Sequence, residues 1–183
     1  MNGSETSLKD YLSRPMISEV TVDLIKSASD DEVEQLIMDA VESRLSEFNY
    51  DTARLLATLP IGVRALYLTW VVEAEVENGG FNQLYWNGYG KFANDMVKAF
   101  EYFAATKHAV LMREAIQVRE KEKFLMGFLK LIGNLHAFSY SCRWSKLDPL
   151  DDKFYDIPEK LSSLRVPKIR SNPASFALTK KSM

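Results

Sequence analysis

Residues 63–80 read VRALYLTWVVEAEVENGG, and this stretch decides the fold. Ala65, Leu66, Tyr67, Leu68, Trp70, Val71, Val72, Ala74 and Val76 put apolar side chains on every side of a 3.6-residue wheel. A helix that is apolar all round belongs in the middle of its domain. Pro60 suits the start of such a helix. Asn78-Gly79-Gly80 suits its end, because Gly accepts the left-handed conformation of a helix C-cap. Phe81 to Asn87 then predicts a short helix, with Phe81, Leu84 and Tyr85 on one side.

Upstream, Ser29-Asp30-Asp31-Glu32 fits a capping box with Ser29 as N-cap. Val33, Leu36, Ile37, Ala40, Val41, Arg44, Leu45 and Phe48 follow at helical spacing, a stripe interrupted only by Arg44. Asp31, Glu32, Asp39 and Glu42 gather on the opposite face. Asp51 can cap a short helix through Leu59. Residues 17–28 fit either period, and helix is preferred because a lone strand at Val20 and Val22 would have no pairing partner. Downstream, Phe92 to Ala105 and Val110 to Val118 predict two helices. Phe124, Leu125, Phe128, Leu131, Ile132 and Leu135 predict a further apolar one. Asp148-Pro149 and Ile157-Pro158 open the last two, the second running through Leu161, Leu164 and Ile169. The expected class is all-α: one compact, bundle-like domain of about seven or eight helices over 17–171. A polar arm (1–16) precedes it and a basic, frayed tail (172–183) follows.

The chain has 183 residues, 46% hydrophobic and 26% charged, an ordinary globular mixture that argues against disorder. A single Cys142 excludes a disulfide framework and suits a reducing, cytoplasmic setting. No apolar run reaches the about 18 residues of a membrane span. The net charge of −2 conceals a gradient. Residues 1–60 hold 12 Asp and Glu against 5 Lys and Arg, whereas residues 111–183 hold 8 against 14. Such asymmetry either solvates two faces or lets one of them meet a charged partner.

Catalytic and cofactor signatures are missing: there is no phosphate-binding glycine loop, no dinucleotide fingerprint and no nucleophile elbow. Two histidines, His108 and His136, with Cys142 cannot complete a structural zinc site, and neither follows a Glu at the spacing of a bundle metal centre. No cofactor is expected. The basic residues of the C-terminal third alternate with acids, so no stripe for direct nucleic-acid binding is laid out. The unusual feature is the loop itself. Glu73, Glu75 and Glu77 crowd the end of a helix where the dipole disfavours them. Two readings stand. Glu73, Glu77, Asn78, Gln83, Tyr85 and Asn87 line a polar ligand or hydrolytic site, with His108 as a base. Alternatively, Glu77 accepts loop N–H groups, Gly79 and Gly80 reverse the chain, and Phe81 plugs the core.

Glu75-Val76-Glu77-Asn78-Gly79-Gly80-Phe81-Asn82-Gln83, followed by Tyr85-Trp86-Asn87 and Gly90, resembles the signature of the DNA-mimic-protein C-terminal domain family. Leu59-Pro60 with Arg64, Lys107 to Ala115, Leu147 to Tyr155 and Ile169 to Pro173 extend the likeness over about 29–173. Phe103-Ala104-Ala105 departs from it where members often carry an Ile-Gly turn. The resemblance implies an all-α fold and a dimer. It also implies a non-enzymatic, protein-binding role in which acidic residues imitate DNA phosphates for a DNA-binding protein. On this chain the dense acidic run is Asp30 to Glu47, so Asp31, Glu32, Asp39 and Glu42 are the expected partner-binding face.

Overall fold

The structure, a computed structural model, describes residues 17–179. The N-terminal arm (1–16) and residues 180–183 of the tail fall outside that range. The all-α expectation holds: the described residues form nine α-helices and two short 3-10 turns. They divide into two compact units, residues 17–63 with 172–179, and Arg64–Ser171.

The first unit contains α1 (Val22–Ser27), α2 (Val33–Glu47), α3 (Thr52–Thr58) and the 3-10 turn Pro173–Ser175. The Thr21 side chain opens α1 by accepting the Leu24 N–H at 3.2 Å. Asp51 opens α3 by accepting those of Ala53 and Arg54. The capping box at Ser29 forms by half: the Glu32 carboxylate accepts the Ser29 N–H at 3.4 Å. Residues 30–32 form a turn, α2 begins at Val33, and the Ser29 hydroxyl donates to the Glu32 carboxylate at 2.6 Å instead of capping an N–H. The predicted stripe packs inward through Val33, Ile37, Ala40 and Val41. Two further expectations change. Val20 does have a partner, because its N–H and C=O exchange hydrogen bonds with Leu178 in an antiparallel bridge. The tail is not frayed as far as Thr179, since Phe176 and Leu178 are fully buried. Gly62 lets the tail approach: a Cβ there would lie 2.6 Å from the Ser175 carbonyl oxygen. Arg44, the interruption in the stripe, donates to the Thr179 carbonyl at 3.0 Å.

The second unit is built on α4 (Ile61–Trp86), which breaks at Gly79 and Gly80 where the glycines predict. Val63, Leu66, Leu68, Val72 and Val76 are buried along it. The 3-10 turn Tyr89–Phe92 leads into α5 (Ala93–Tyr102), which packs on α6 (Thr106–Ile132); α6 in turn packs on α7 (Leu135–Trp144) and α8 (Asp148–Tyr155). α9 (Leu161–Ser171) completes the unit. The two helices expected over 110–135 are one continuous 27-residue helix ending at left-handed Gly133. The mixed-sign run 119–123, which the sequence reads as a solvated helix face, is a stretch of that helix. Unforeseen α7 starts at Asn134, whose side chain accepts the Ala137 N–H.

Candidate functional site

The Gly79–Gly80 break sits where two helical segments of α4 meet, and α8 clamps it from both sides. Gly80 has φ 75° and ψ 177°, a region open in practice only to glycine, whereas Gly79 at φ −167° is extended. The C-cap expectation is therefore corrected in detail: Gly80 turns the chain with a positive φ but an extended ψ, not the left-handed helical one. The freed Phe81 N–H donates to Asp151 Oδ1 at 2.7 Å. The Tyr155 hydroxyl donates to the Val76 carbonyl at 2.6 Å, satisfying one of the acceptors that the end of a helix leaves open. Asp151 thus does what the sequence assigned to Glu77, which is exposed. Burial pushes the Asp151 carboxyl up to about 6, against the lowering effect of the Phe81 N–H; Asp148 and Asp152 add to the rise.

The other loop residues are engaged within the second unit. Glu73 ion-pairs with Arg165 of α9, which is 1% exposed and stacks its guanidinium 5.7 Å from the Trp70 ring centroid. Glu75 is the hub that sequence reasoning did not pick out. Its Oε2 accepts the side-chain amides of Gln83 at 3.0 Å and Asn87 at 2.8 Å. Asn82, also passed over, is buried and donates to Ser141 Oγ and Cys142 Sγ of α7. The Tyr85 ring is buried under the Arg119 guanidinium, and burial raises its phenol. Phe81 is 1% exposed and meets Phe154 edge to face. Asn78 is exposed.

His108 is not placed as a solvent-accessible base. It is 4% exposed, stacked on Phe100 at 5.4 Å and edge-on to Phe154 at 5.3 Å. Burial pulls its imidazole down to about 4, with Arg165 and Lys107 pushing the same way, so it is neutral at physiological pH. Among the described residues no group of three or more His, Cys, Asp or Glu is placed to hold a metal ion. No helix among them is long and apolar enough to cross a membrane.

The acidic candidates lie in the first unit, on an open groove of about 640 Å³ between α1 and α2. Leu24 and Leu36 give it apolar patches, and Asp31, Glu32 and Asp39 line it together. Asp31 and Glu32 lie in the turn 30–32, and Asp39 lies about two turns further along, on α2. Ser29 holds the Glu32 carboxyl below the usual carboxylate range through hydrogen bonds from its hydroxyl and its N–H. Gln35 donates to Asp39 at 2.6 Å. Glu42 is exposed on α2 and does not line the groove.

No curated protein and no solved structure shows significant similarity to this chain. A family model described as DMP19-like protein matches residues 57–172, a span that contains the Gly79–Gly80 break, the Asp151 and Tyr155 clamp and the Glu75 hub. Since that match covers well over half of its 183 residues, the chain belongs to the DMP19-like protein family.

Proposed function

We propose that this protein is a non-enzymatic binding module that imitates DNA toward a DNA-binding protein, and that the groove between α1 and α2 is its contact surface. The observation that carries the reading is the grouping of Asp31, Glu32 and Asp39 around an open groove with Leu24 and Leu36. A DNA-binding surface is basic and expects closely spaced negative charge. Three carboxylates on one groove offer that charge, and the leucines offer burial that a bare phosphate backbone does not. Family membership supports the same role. The alternative, a ligand or hydrolytic site at Glu77–Asn87, draws little support from the geometry, because Gln83 and Asn87 spend their amides on Glu75 and Asp151 takes the Phe81 N–H.

The test is capture of partners from the native cell by the wild-type chain and by an Asp31→Asn, Asp39→Asn variant, with added duplex DNA as competitor. The expected result is a DNA-binding protein that duplex DNA displaces, that rising salt releases, and that the variant fails to retain. Exposed charges reach only about 8 Å at physiological ionic strength, so the salt dependence should be steep. A partner held equally by the variant, or one that DNA does not displace, overturns the reading.

A further inference from the structure

The C-terminal half of α6 is apolar on the side that faces away from its own unit. Met126 is 1% exposed, and on the helical wheel Phe124, Phe128 and Leu131 lie opposite it at 84%, 63% and 87% exposure. Leu125 and Ile132 flank them at about half exposure, and Leu135, just past the left-handed Gly133, is 77% exposed. The apolar spacing predicts that these six residues pack inward as a separate helix. The structure reverses that expectation, because the opposite face of α6 is the one its own unit covers. Together the six side chains present on the order of 700 Å² of surface, more than the about 300–600 Å² of the largest apolar patch on a typical monomer.

The chain doubles back at Gly133, so α6 and α7 form a hairpin with Leu131, Ile132 and Leu135 at its tip. Glu122 closes the other end, where its carboxylate accepts the Ser145 hydroxyl at 2.9 Å and the Lys146 N–H at 2.7 Å. Between these ends the charge is one-sided. From Lys123 to Leu147 the chain carries Lys123, Lys130, Arg143 and Lys146 and no Asp or Glu, although its net charge is −2. All four bases are exposed. Lys123 pairs with Glu120 and Lys130 donates to the Tyr85 carbonyl, so Arg143 and Lys146 carry the outward charge. Tyr140 and Trp144, also on α7, are more than half exposed.

Bare aliphatic side chains, exposed Tyr and Trp, and unbalanced Lys and Arg are the composition of a segment that lies in a membrane interface. There the leucines leave water for the acyl boundary, the Tyr and Trp rings settle at headgroup level, and the bases meet anionic headgroups. A nucleic-acid strand also offers the bases a counter-charge. It gives Leu131, Ile132 and Leu135 nothing, because stacking on a base needs a ring. The core of a protein interface matches the leucines but is poor in Lys.

We infer that the α6–α7 hairpin docks on the surface of an anionic lipid bilayer, with Phe128, Leu131 and Leu135 in the acyl boundary and Arg143 and Lys146 against the headgroups. The hairpin lies on the bilayer and does not span it, in keeping with the lack of any helix among the described residues long and apolar enough to cross. The docking is independent of the acidic groove.

Flotation of the full chain with vesicles tests it, using phosphatidylcholine alone and an equal mixture of phosphatidylcholine and phosphatidylglycerol. The wild type should float with the mixed vesicles and not with the neutral ones, and rising salt should weaken the binding. Leu131→Glu with Leu135→Glu should abolish it, with helix content by circular dichroism unchanged, since both side chains are exposed. Arg143→Gln with Lys146→Gln should weaken it by about 30-fold, from about 1 kcal/mol for each charge at an anionic surface. A wild type that floats with neither vesicle or equally with both, or a leucine variant that still floats, overturns the assignment. So does a wild-type oligomer that vesicles do not break and the leucine variant dissolves, because a second copy then covers the face. Tighter binding to single-stranded DNA, lost in the same variants, overturns it as well. Partner capture through the groove is measured separately, so failure of one reading leaves the other readable.

Discussion

Asp151 of α8 and Phe81 of α4 are seventy residues apart in the chain and joined by a 2.7 Å hydrogen bond from the Phe81 N–H to the Asp151 carboxylate. The bond falls where the Gly79–Gly80 break leaves a helix-starting N–H without an intrahelical acceptor. A carboxylate there suits the positive end of the helical segment that begins at Phe81. Tyr155, one turn further along α8, takes the Val76 carbonyl from the other side of the break. The break is therefore stabilised by one distant helix.

Gly80 and Gly79 should differ sharply in their tolerance of substitution. A Cβ at Gly80 adds a positive-φ penalty to a 2.2 Å approach to Asp151 Oδ2. Gly80→Ala should cost about 1–3 kcal/mol from the backbone strain alone. Gly79→Ala meets chiefly the carboxamide end of Gln83, which can swing away, and the Gln83 Cβ at 3.2 Å, which needs a shift of only a few tenths of an ångström. It should cost less, with the Glu75 hydrogen bond as the casualty. Thermal melts of the two variants measure the difference; equal losses would contradict it.

His108 and Asp151 should pull the pH dependence of stability in opposite directions. The folded-state value of His108 lies near 4, below its unfolded value of about 6.5, so the unfolded chain binds the extra proton between them. Its contribution is intact above pH 6.5 and is lost as pH falls toward 4. The folded-state value of Asp151 is raised to about 6, so its contribution is greatest below pH 4 and is lost as pH rises through 6. His108→Leu should flatten the acid loss. Asp151→Asn, which can still accept the Phe81 N–H, should gain stability relative to wild type as pH rises from 4 to 7. Urea midpoints at pH 4, 5, 6 and 7 separate the two.

Ala104 sits at φ 58°, in the left-handed region, between α5 and α6. That conformation costs an L-residue roughly 1–2 kcal/mol, part of which glycine gives back through its freer unfolded state. Ala104→Gly should therefore raise stability by about 0.5–1 kcal/mol. A fall in melting temperature would show that the Ala104 methyl is needed for packing.

Phe176 carries the tail's attachment to the first unit. It is fully buried, beside the bridge between Val20 and Leu178. Phe176→Ala should cost about 3–5 kcal/mol, as for other buried aromatics. Chemical denaturation of this variant gives the value, and a loss below about 1 kcal/mol would mean that the tail is dispensable.

The amino-acid sequence by itself determined the all-α class, most of the helices and the place where the long one breaks, though not α7 or the continuity of α6. Those features depend on periodicity and on local residues: the all-round apolar run from Val63, the pair Gly79–Gly80, and Asp51 before α3. What depended on distant partners was decided by the tertiary structure. Nothing near Phe81 in sequence marks Asp151 as its acceptor. Nothing in the alternation at Val20 names Leu178. Glu75 and Glu77 look equivalent on paper, yet the fold turns Glu75 toward Gln83 and Asn87 and leaves Glu77 in solvent. At the end of α6 the apolar spacing was legible but its direction was not. Periodicity shows that Phe124, Phe128 and Leu131 share a side. Only the packing around Met126 shows which side is covered, because burial is a property of what lies opposite a helix and not of the helix itself.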